Sequence, residues 1–430
     1  MPRTIALLTV ALVLSGCGGG TSSGASGGTA GASGQPPSGA ASCGAASALS
    51  VLATGRQVSA YVPKGAWYAP STDTGIDRVG LEGRALAPTF IDTPEVVNSC
   101  ASNPVTGRTV CIGNDTDIYL LSGSHLDTTL TSAGSGFARF SGGTCTNCTV
   151  AFDAGSNRAV IGLNFDQGEG FQFVDFASGA AVLETPIVSP ALQIGENLLL
   201  DSKRRLMLSP SASNNYEIAN LAGKSSPRFF ENPIGTPGVD LLDSTAEDCS
   251  TGIALASDEF TQKILVTDLS QAVFVPGKAS GAWSAPAQFQ DLPDFAPLMN
   301  GIRGLAVAPR SHLGAVAGSV AGNALGAIRL PATSGQGVPA MADWVECGIP
   351  DDPDGDPWRM GLDPHPLTVY ESPNTGHTIA VLANSPAPTF LVLVDLTQMI
   401  DPVVLPRTAG TNTCAEGVMP SSLVHFVSLP

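Results

Sequence analysis

The sequence predicts an all-β fold, namely a β-propeller of about seven four-stranded antiparallel blades. Blade numbers of about six or about eight are the alternatives. Charged residues make up only 13% of the chain, whereas 49 glycines and 33 prolines supply many turn positions. Short apolar segments alternate with these turns, which is typical of strands joined by tight connections. Groups of four such segments then recur along the chain.

The clearest repeat unit has apolar segments at 150–153, 158–164, 170–176 and 181–184. Similar groups occupy 198–201, 205–208, 216–219 and 228–231, and then 367–370, 378–384, 390–396 and 403–405. Weaker copies begin near Val97, Val239 and Ile302, and a degenerate copy lies at 47–90. One unit alone exposes both faces of its sheet, and radial stacking buries them. A two-sheet sandwich is the alternative architecture.

A last apolar segment, 423–429, has no repeat unit of its own. An open propeller would leave unpaired strand edges. We therefore expect this strand to pair with the N-terminal blade and to close a single propeller domain at 43–430.

Residues 1–16 have the pattern that predicts an export signal peptide. Arg3 precedes an apolar run that is too short to span a bilayer, and small residues lead to Cys17. This layout resembles that of bacterial lipoprotein precursors, which implies cleavage before Cys17, lipidation of Cys17 and attachment to a membrane. Gly18 stands where inner-membrane lipoproteins often carry Asp, so the resemblance favours the outer membrane.

Residues 17–42 are rich in Gly, Ser, Ala and Thr and predict a flexible tether, because such a segment cannot bury a core. The formal net charge is −17, with 20 Lys and Arg in the chain. An acidic chain without a basic patch argues against nucleic acid and anionic lipid headgroups as partners.

Three second-strand segments end on asparagine, at Asn114, Asn164 and Asn384, and a third strand such as 390–396 (FLVLVDL) follows. This pattern resembles that of the YVTN family of β-propellers. The resemblance implies a propeller that serves as a binding scaffold and in some members as an enzyme. The Pro-Asp-Gly turn of that family is replaced here by turns such as DAGSN, NPVTG and SPNTG.

The cysteines other than Cys17 are even in number, which points to disulfides in an exported chain. Cys100 and Cys111 flank a turn symmetrically and are candidates to face each other across a hairpin. Cys145 and Cys148 form a CxxC motif followed by a strand-like segment. A thioredoxin-type site needs this motif at a helix N-terminus, so a structural bridge is favoured over a redox site.

Loops between second and third strands, and between one blade and the next, share one face of a propeller, and loops are where binding residues concentrate. Acidic side chains fall in the predicted two-to-three loops, and Trp358 falls in the other set. We expect a binding face made of Asp115, Asp117, Asp166, Glu169, Asp258, Glu259 and Trp358.

The densest acidic run begins at Asp351. Its aspartates occupy positions 1, 3, 5 and 12 of a calcium loop, but the glycine is misplaced, which excludes an EF-hand. A looser Ca²⁺ site and a solvated acidic turn are the alternatives, and His365 could add a ligand as metal ligands do in lactonase-type propellers. The candidate ligands are Asp352, Asp354, Asp356, Asp363 and His365.

The patterns of zinc proteases, P-loops and dinucleotide-binding folds do not occur in the sequence. We therefore expect a lipid-anchored, non-enzymatic module of the cell envelope that binds a protein, a peptide or a glycan. A metal-dependent propeller hydrolase or lactonase is one alternative, and a periplasmic outer-membrane assembly factor is another.

Overall fold

The computed structural model describes residues 43–45, 47–65, 73–114, 117–130, 148–163, 169–184, 187–189, 197–210, 215–220, 229–233, 242–258, 263–275, 282–291, 300–319, 324–333, 340–351, 367–383 and 389–430. They belong to one compact unit, Pro36–Pro430. The predicted signal peptide, Cys17 and the tether lie outside the described residues. No helix in the described ranges is long and apolar enough to cross a membrane.

The strands pair into sheets that we name A to G along the chain. The chain enters with β1 (Cys43–Ala45), which joins sheet D. Sheet A contains β2 (Ser50–Thr54), β3 (Gln57–Pro63), β4 (Ile76–Glu82) and β5 (Thr89–Ile91). Sheet B contains β6 (Val97–Asn103), β7 (Arg108–Gly113), β8 (Ile118–Ser122) and β9 (His125–Leu130). Sheet C contains β10 (Thr149–Asp153), β11 (Arg158–Leu163), β12 (Glu169–Asp175), β13 (Val182–Leu183) and β14 (Ile187–Ser189).

The middle of the chain forms two further sheets and a hairpin. Sheet D places β1 beside β15 (Leu199–Asp201), followed by β16 (Leu206–Pro210), β17 (Asn215–Asn220) and β18 (Phe229–Pro233). Sheet E contains β19 (Leu242–Asp248), β20 (Ile253–Asp258), β21 (Lys263–Asp268) and β24 (Ala287–Asp291). Between β21 and β24 lie a 3₁₀ turn (Leu269–Gln271) and a separate hairpin of β22 (Val273–Val275) and β23 (Ala282–Ser284).

Two C-terminal sheets complete the fold. Sheet F contains β25 (Asn300–Ala308), β26 (Leu313–Ser319), β27 (Ala324–Arg329), β28 (Asp343–Gly348) and β32 (Thr413–Val418). Sheet G contains β29 (Leu367–Glu371), β30 (Thr378–Ala383), β31 (Phe390–Asp395) and β33 (Val424–Ser428), and the short helix α1 (Leu396–Met399) follows β31. The expected antiparallel four-stranded sheets are confirmed. The count of about seven blades stays a prediction, because one sheet has two strands and others carry a fifth.

Each sheet packs apolar side chains against the sheets before and after it. The core between sheets A and B contains Tyr61 and Tyr119, both 0% exposed. Equivalent cores join B to C, C to D, D to E, E to F and F to G. A last core joins G to A through Val381 and Leu391 on one side and Val58 and Ala60 on the other. The sheets therefore form a closed radial arrangement, which is a β-propeller.

The C-terminal strand does not close the ring as the sequence predicted. β33 pairs with β31, so it is the outer strand of sheet G and does not join the N-terminal sheet. Residues 403–405, expected as that fourth strand, lie in a turn where Val403 is 87% exposed. The expected pairing with the first sheet is wrong, and the ring closes by face-to-face packing of G on A.

Residues 396–423 form a strap from sheet G to the outer edge of sheet F and back. On the way, β32 pairs in parallel with β28. The strap is fixed by a disulfide between Cys347 and Cys414 and by Arg407, whose guanidinium donates to both carboxylate oxygens of Asp343 at 2.7 and 2.9 Å. The strap covers the edge that sheet F would otherwise expose.

The disulfide predicted between Cys100 and Cys111 is confirmed. The two residues are paired across β6 and β7, with Cα atoms 4.1 Å apart. Cys148 and Cys249 each take part in a disulfide bond as well. Cys145 lies outside the described residues, so its predicted bridge to Cys148 stays a prediction.

The two described disulfides close loops of very different length, with sequence separations of 67 and 11. Loop-closure entropy predicts that the Cys347–Cys414 bridge contributes about 4 kcal/mol and the Cys100–Cys111 bridge about 3 kcal/mol. We expect Cys347→Ala/Cys414→Ala to lower the free energy of urea unfolding more than Cys100→Ala/Cys111→Ala. A larger loss for the shorter loop would show that the strap adds little to stability.

Candidate functional site

Three of the predicted binding-face residues lie in the described ranges, and they belong to three different sheets. Asp117 lies just before β8, and its backbone N–H donates to the Glu95 carboxylate at 3.2 Å. Glu169 is the first residue of β12. Asp258 ends β20 and is 0% exposed, so its carboxylate does not reach a ligand at the surface. The remaining members lie outside the described residues, namely Asp115, Asp166, Glu259 and Trp358.

The predicted calcium loop also falls outside the described ranges, with Asp352, Asp354, Asp356, Asp363 and His365. Within the part of the chain that the structure describes, no group of three or more His, Cys, Asp or Glu side chains is arranged to hold a metal ion. The calcium hypothesis therefore stays a prediction from the sequence.

A different set of polar residues lies at the turns between the first and second strands of sheets B to G. We call these turns the turn ring. In sheets B, C, D, E and G, a polar side chain at the end of the first strand accepts backbone N–H groups of the turn, as Asp201 does from Arg204 at 2.8 Å. Four residues later the backbone is left-handed. The pairs are Asn103 and Gly107, Asp153 and Asn157, Asp201 and Arg205, Asp248 and Gly252, and Ser372 and Gly376.

Members of the turn ring also contact the turn of the next sheet. The side-chain amide of Asn103 in sheet B donates to Asn157 of sheet C at 2.9 Å. Arg205 of sheet D donates to Asp153 of sheet C at 2.5 Å, and His312 of sheet F donates through Nδ1 to Asp248 of sheet E at 2.5 Å. The same groups that shape each turn thus join neighbouring sheets.

Three of the left-handed positions are not glycine: Asn157 (φ 54°), Arg205 (φ 60°) and His312 (φ 56°). A non-glycine residue in this region costs about 1 kcal/mol or more. Each of the three makes one of the contacts to the preceding sheet. Hydrogen bonds to charged groups contribute about 1.5–3 kcal/mol, so the contacts of Arg205 and His312 offset the backbone strain.

Between sheets D and E the arrangement is reversed, because the left-handed residue is Gly252 and has no side chain to reach back. Arg204 of sheet D reaches forward instead and donates to the carbonyl oxygens of Cys249 at 3.0 Å and Thr251 at 2.8 Å. A Cβ at Gly252 would lie 2.4 Å from Cζ of Arg204. Glycine is therefore required there both for its φ of 90° and for the space that the guanidinium occupies.

Glu247 is the buried acid beside this contact. Its carboxylate is 0% exposed and lies 3.8 Å from Arg204, which also pairs with Asp201 at 2.9 Å. Burial raises the pKa of Glu247 well above its usual value, and the neighbouring Asp201 and Asp248 raise it further, against the lowering effect of Arg204. One arginine thus faces more than one carboxylate, and protonation of Glu247 relieves the excess negative charge.

The turn ring is a structural device, because its carboxylates are already paired with the turns and the adjacent sheets. Its local part has a sequence signal, a polar residue followed four positions later by Gly or Asn, which the segments DAGSN, NPVTG and SPNTG contain. The contacts between sheets have no local signal, since His312 and Asp248 are 64 residues apart.

A surface cavity of about 390 Å³ lies between sheets B and C. We call it the B–C groove. It is bordered by β8 and β9 on one side and by the turn between β12 and β13 on the other. Its floor is apolar and includes Leu120, Leu130 and Phe176, of which Leu120 is 8% and Phe176 2% exposed.

Two charged side chains border the B–C groove. The guanidinium of Arg108 lies 5.3 Å from the ring centre of Phe176 and donates to the carbonyl oxygen of Gly179 at 2.6 Å. These contacts hold the Arg108 side chain across the groove while leaving other N–H donors of its five available. Asp127 lies exposed on β9 and accepts a hydrogen bond from Ser122. The groove thus combines an apolar floor with one donor and one acceptor.

Comparison with known proteins gives little beyond the fold. No family model matches the chain, and no curated protein matches it, so membership of the YVTN family is not confirmed. Among solved structures, a chain of "Crystal Structure of Mitotic Checkpoint Complex" is similar over 79% of this chain and 86% of that chain, with 13% identity and a TM-score of 0.47. We draw no function from this likeness.

The raised pKa of Glu247 predicts a specific pH dependence of stability. A carboxyl whose folded pKa exceeds its unfolded value of 4.5 stabilises the fold fully below pH 4.5, and this contribution is lost as the pH rises through the folded pKa. We expect Glu247→Gln to unfold like the parent near pH 4 and to become more stable than the parent towards pH 7.5, by about 1.4 kcal/mol for each unit of raised pKa.

Asp153→Asn is the matched control with the opposite sign. Burial raises the pKa of Asp153, but hydrogen bonds from Ser156 and Ser202 and the charge of Arg205 outweigh it, so the pKa is lowered. This variant should be less stable than the parent at neutral pH, and the difference should shrink in acid. Urea unfolding at several pH values measures the stability of both variants. If the stability difference from the parent changed with pH in the same direction for both, the opposite pKa shifts of Glu247 and Asp153 would be contradicted.

Proposed function

We propose that this chain is a lipid-anchored binding module of the bacterial cell envelope and that the B–C groove holds an extended segment of a protein or peptide. The observation that carries the proposal is the groove itself, because a cavity of about 390 Å³ with an apolar floor has the size and chemistry of a ligand site. Because the groove is open to the surface, it suits a chain segment better than an enclosed small molecule.

The charges bordering the groove favour a polypeptide. Arg108 offers N–H donors to a carbonyl or carboxylate oxygen, and Asp127 offers an acceptor to a backbone N–H. A peptide presents both groups at regular intervals and can place an apolar side chain on the floor near Leu120 and Phe176. Two apolar side chains on the flanking strands, Leu126 (36% exposed) and Val182 (50% exposed), would extend the contact.

Attachment to the membrane rests on the sequence. The apolar run that ends at Cys17, followed by the Gly- and Ser-rich segment to residue 42, supports a lipidated N-terminus and a tether. A single acyl chain holds a protein only reversibly, so multiple acylation of Cys17 is part of the proposal. On this basis the propeller is held at the outer membrane and faces either the periplasm or the outside of the cell.

Filling the B–C groove should weaken peptide binding. Ala180 is exposed and lines the groove, so Ala180→Trp would occupy the space without changing the core. Peptides selected from a random display library on the purified full chain should carry apolar residues and bind Ala180→Trp at least about tenfold more weakly, a change of about 1.4 kcal/mol. Titration of one selected peptide by fluorescence anisotropy gives the dissociation constants.

The control variant is Ser178→Trp, at an exposed position of the same turn that does not line the groove. It should bind the selected peptide like the parent chain. Equal affinities for Ala180→Trp and the parent would overturn the assignment of the groove, and a loss in both variants would point to a general effect of the added Trp.

Membrane attachment has its own test. Cys17→Ala should move the protein from the membrane fraction to the soluble fraction of the cells, because the acylated residue is removed. The parent chain should also incorporate labelled palmitate, and the variant should not. Membrane fractionation of Cys17→Ala equal to that of the parent would refute the lipid anchor while leaving the B–C groove untouched.

A further inference from the structure

A second cavity lies where sheet G closes on sheet A. Its volume is about 240 Å³, and we call it the closure cavity. Leu81 of sheet A and Ile379 and Leu393 of sheet G form its apolar wall. Ser422 and His425, both exposed, also line it. The cavity is smaller than the B–C groove and has room for a single side chain.

One wall of the closure cavity carries Glu82, the last residue of β4. Its Oε1 accepts the hydroxyl of Tyr370 at 2.7 Å, and its Oε2 accepts Ser372 at 2.6 Å and Asn374 at 2.9 Å. These three donors belong to the sheet G side and fix the orientation of the carboxylate. A carboxylate offers about four acceptor positions, so Oε1 retains one.

The opposite side carries Asp395, the last residue of β31. Its Oδ2 accepts from Nδ1 of His377 at 2.7 Å and from the Gln398 amide at 2.7 Å, and its Oδ1 accepts the Gln398 backbone N–H at 3.0 Å. By the same count one acceptor position remains, on Oδ1. The Tyr370 hydroxyl oxygen, already donating to Glu82, can also accept a further hydrogen bond.

The two carboxylates of the closure cavity differ in their partners, because Asp395 is paired with His377, whereas Glu82 forms no ion pair among the described residues. Among its described lining residues, two are carboxylates and none is Lys or Arg. Arg56 and Arg84 are exposed and do not line the cavity. Consistently, burial raises the pKa of Tyr370, and the hydrogen bond and charge of Glu82 and the charge of Asp395 raise it further.

We propose that the closure cavity binds a primary alkylammonium group, such as the side chain of a lysine residue on a partner protein. The apolar wall of Leu81, Ile379 and Leu393 would contact the methylene groups. The three N–H donors of the ammonium would meet the remaining acceptors of Glu82, Asp395 and Tyr370. An uncharged or anionic group would leave the Glu82 carboxylate without a counter-charge.

The test compares two probes that differ in the ammonium group only, Nα-acetyl-lysine methylamide and Nα-acetyl-norleucine methylamide. Isothermal titration of the purified full chain should show saturable binding of the lysine probe at least about tenfold tighter than that of the norleucine probe. Raising the salt concentration should narrow this difference, because screening weakens charge attraction. Equal affinities, or no saturable binding of the lysine probe, would overturn the proposal.

Variants locate the site. Ser422→Trp should block the cavity from an exposed position and remove binding of the lysine probe, whereas Ser421→Trp, exposed but not lining the cavity, should retain it. Glu82→Gln should weaken binding, with thermal melting to verify that the variant is folded. Ala180→Trp, in the B–C groove, should have no effect. Unchanged affinity in Ser422→Trp would refute the site, and loss in Ala180→Trp would assign the probe to the other groove.

Discussion

Each of the sheets A to G has two apolar faces, and the fold depends on covering both of them. A sheet such as B places Val110 and Ile112 towards sheet C and Cys111 and Tyr119 towards sheet A, all fully buried. Neither face can be left to water, so each sheet needs two neighbours and the series must return to its start. The closed ring is thus a consequence of the alternation of side chains along each strand.

Apolar packing alone leaves the sheets free to slide against one another, because it has no preferred direction. The turn ring supplies the missing register. A carboxylate such as Asp248 is fixed by its own turn through Ser250 at 3.0 Å and then receives His312 of the next sheet at 2.5 Å. Since both contacts need defined geometry, each junction has one favoured position. The buried carboxylates of the turn ring, such as Asp248, therefore serve assembly of the ring.

The repeats and the hairpin disulfide could be predicted from the sequence because both are local. The segment predicted at 150–153 lies within β10, and the segment predicted at 158–164 matches β11 to within one residue. Cys100 and Cys111 flank a single turn. The path of the strap could not be predicted, because the pairing of Cys347 with Cys414 and of β32 with β28 joins segments that have no periodic relation. The B–C groove was also missed. Arg108 and Phe176 belong to different sheets, and either alone is an ordinary strand residue.

The junction of sheets G and A differs from the others in its chemistry. No strand is shared there, since β33 stays with sheet G, and the polar contacts centre on Glu82. This carboxylate receives three side chains of the other sheet, whereas Asp248 receives one. The three donors fix the position of the Glu82 carboxylate. Because donors such as Tyr370 and Ser372 are uncharged, they do not neutralise its negative charge. The ring therefore retains the negative charge of Glu82 at the junction of sheets G and A. The closure cavity is the place where a cation of a partner can contact this carboxylate.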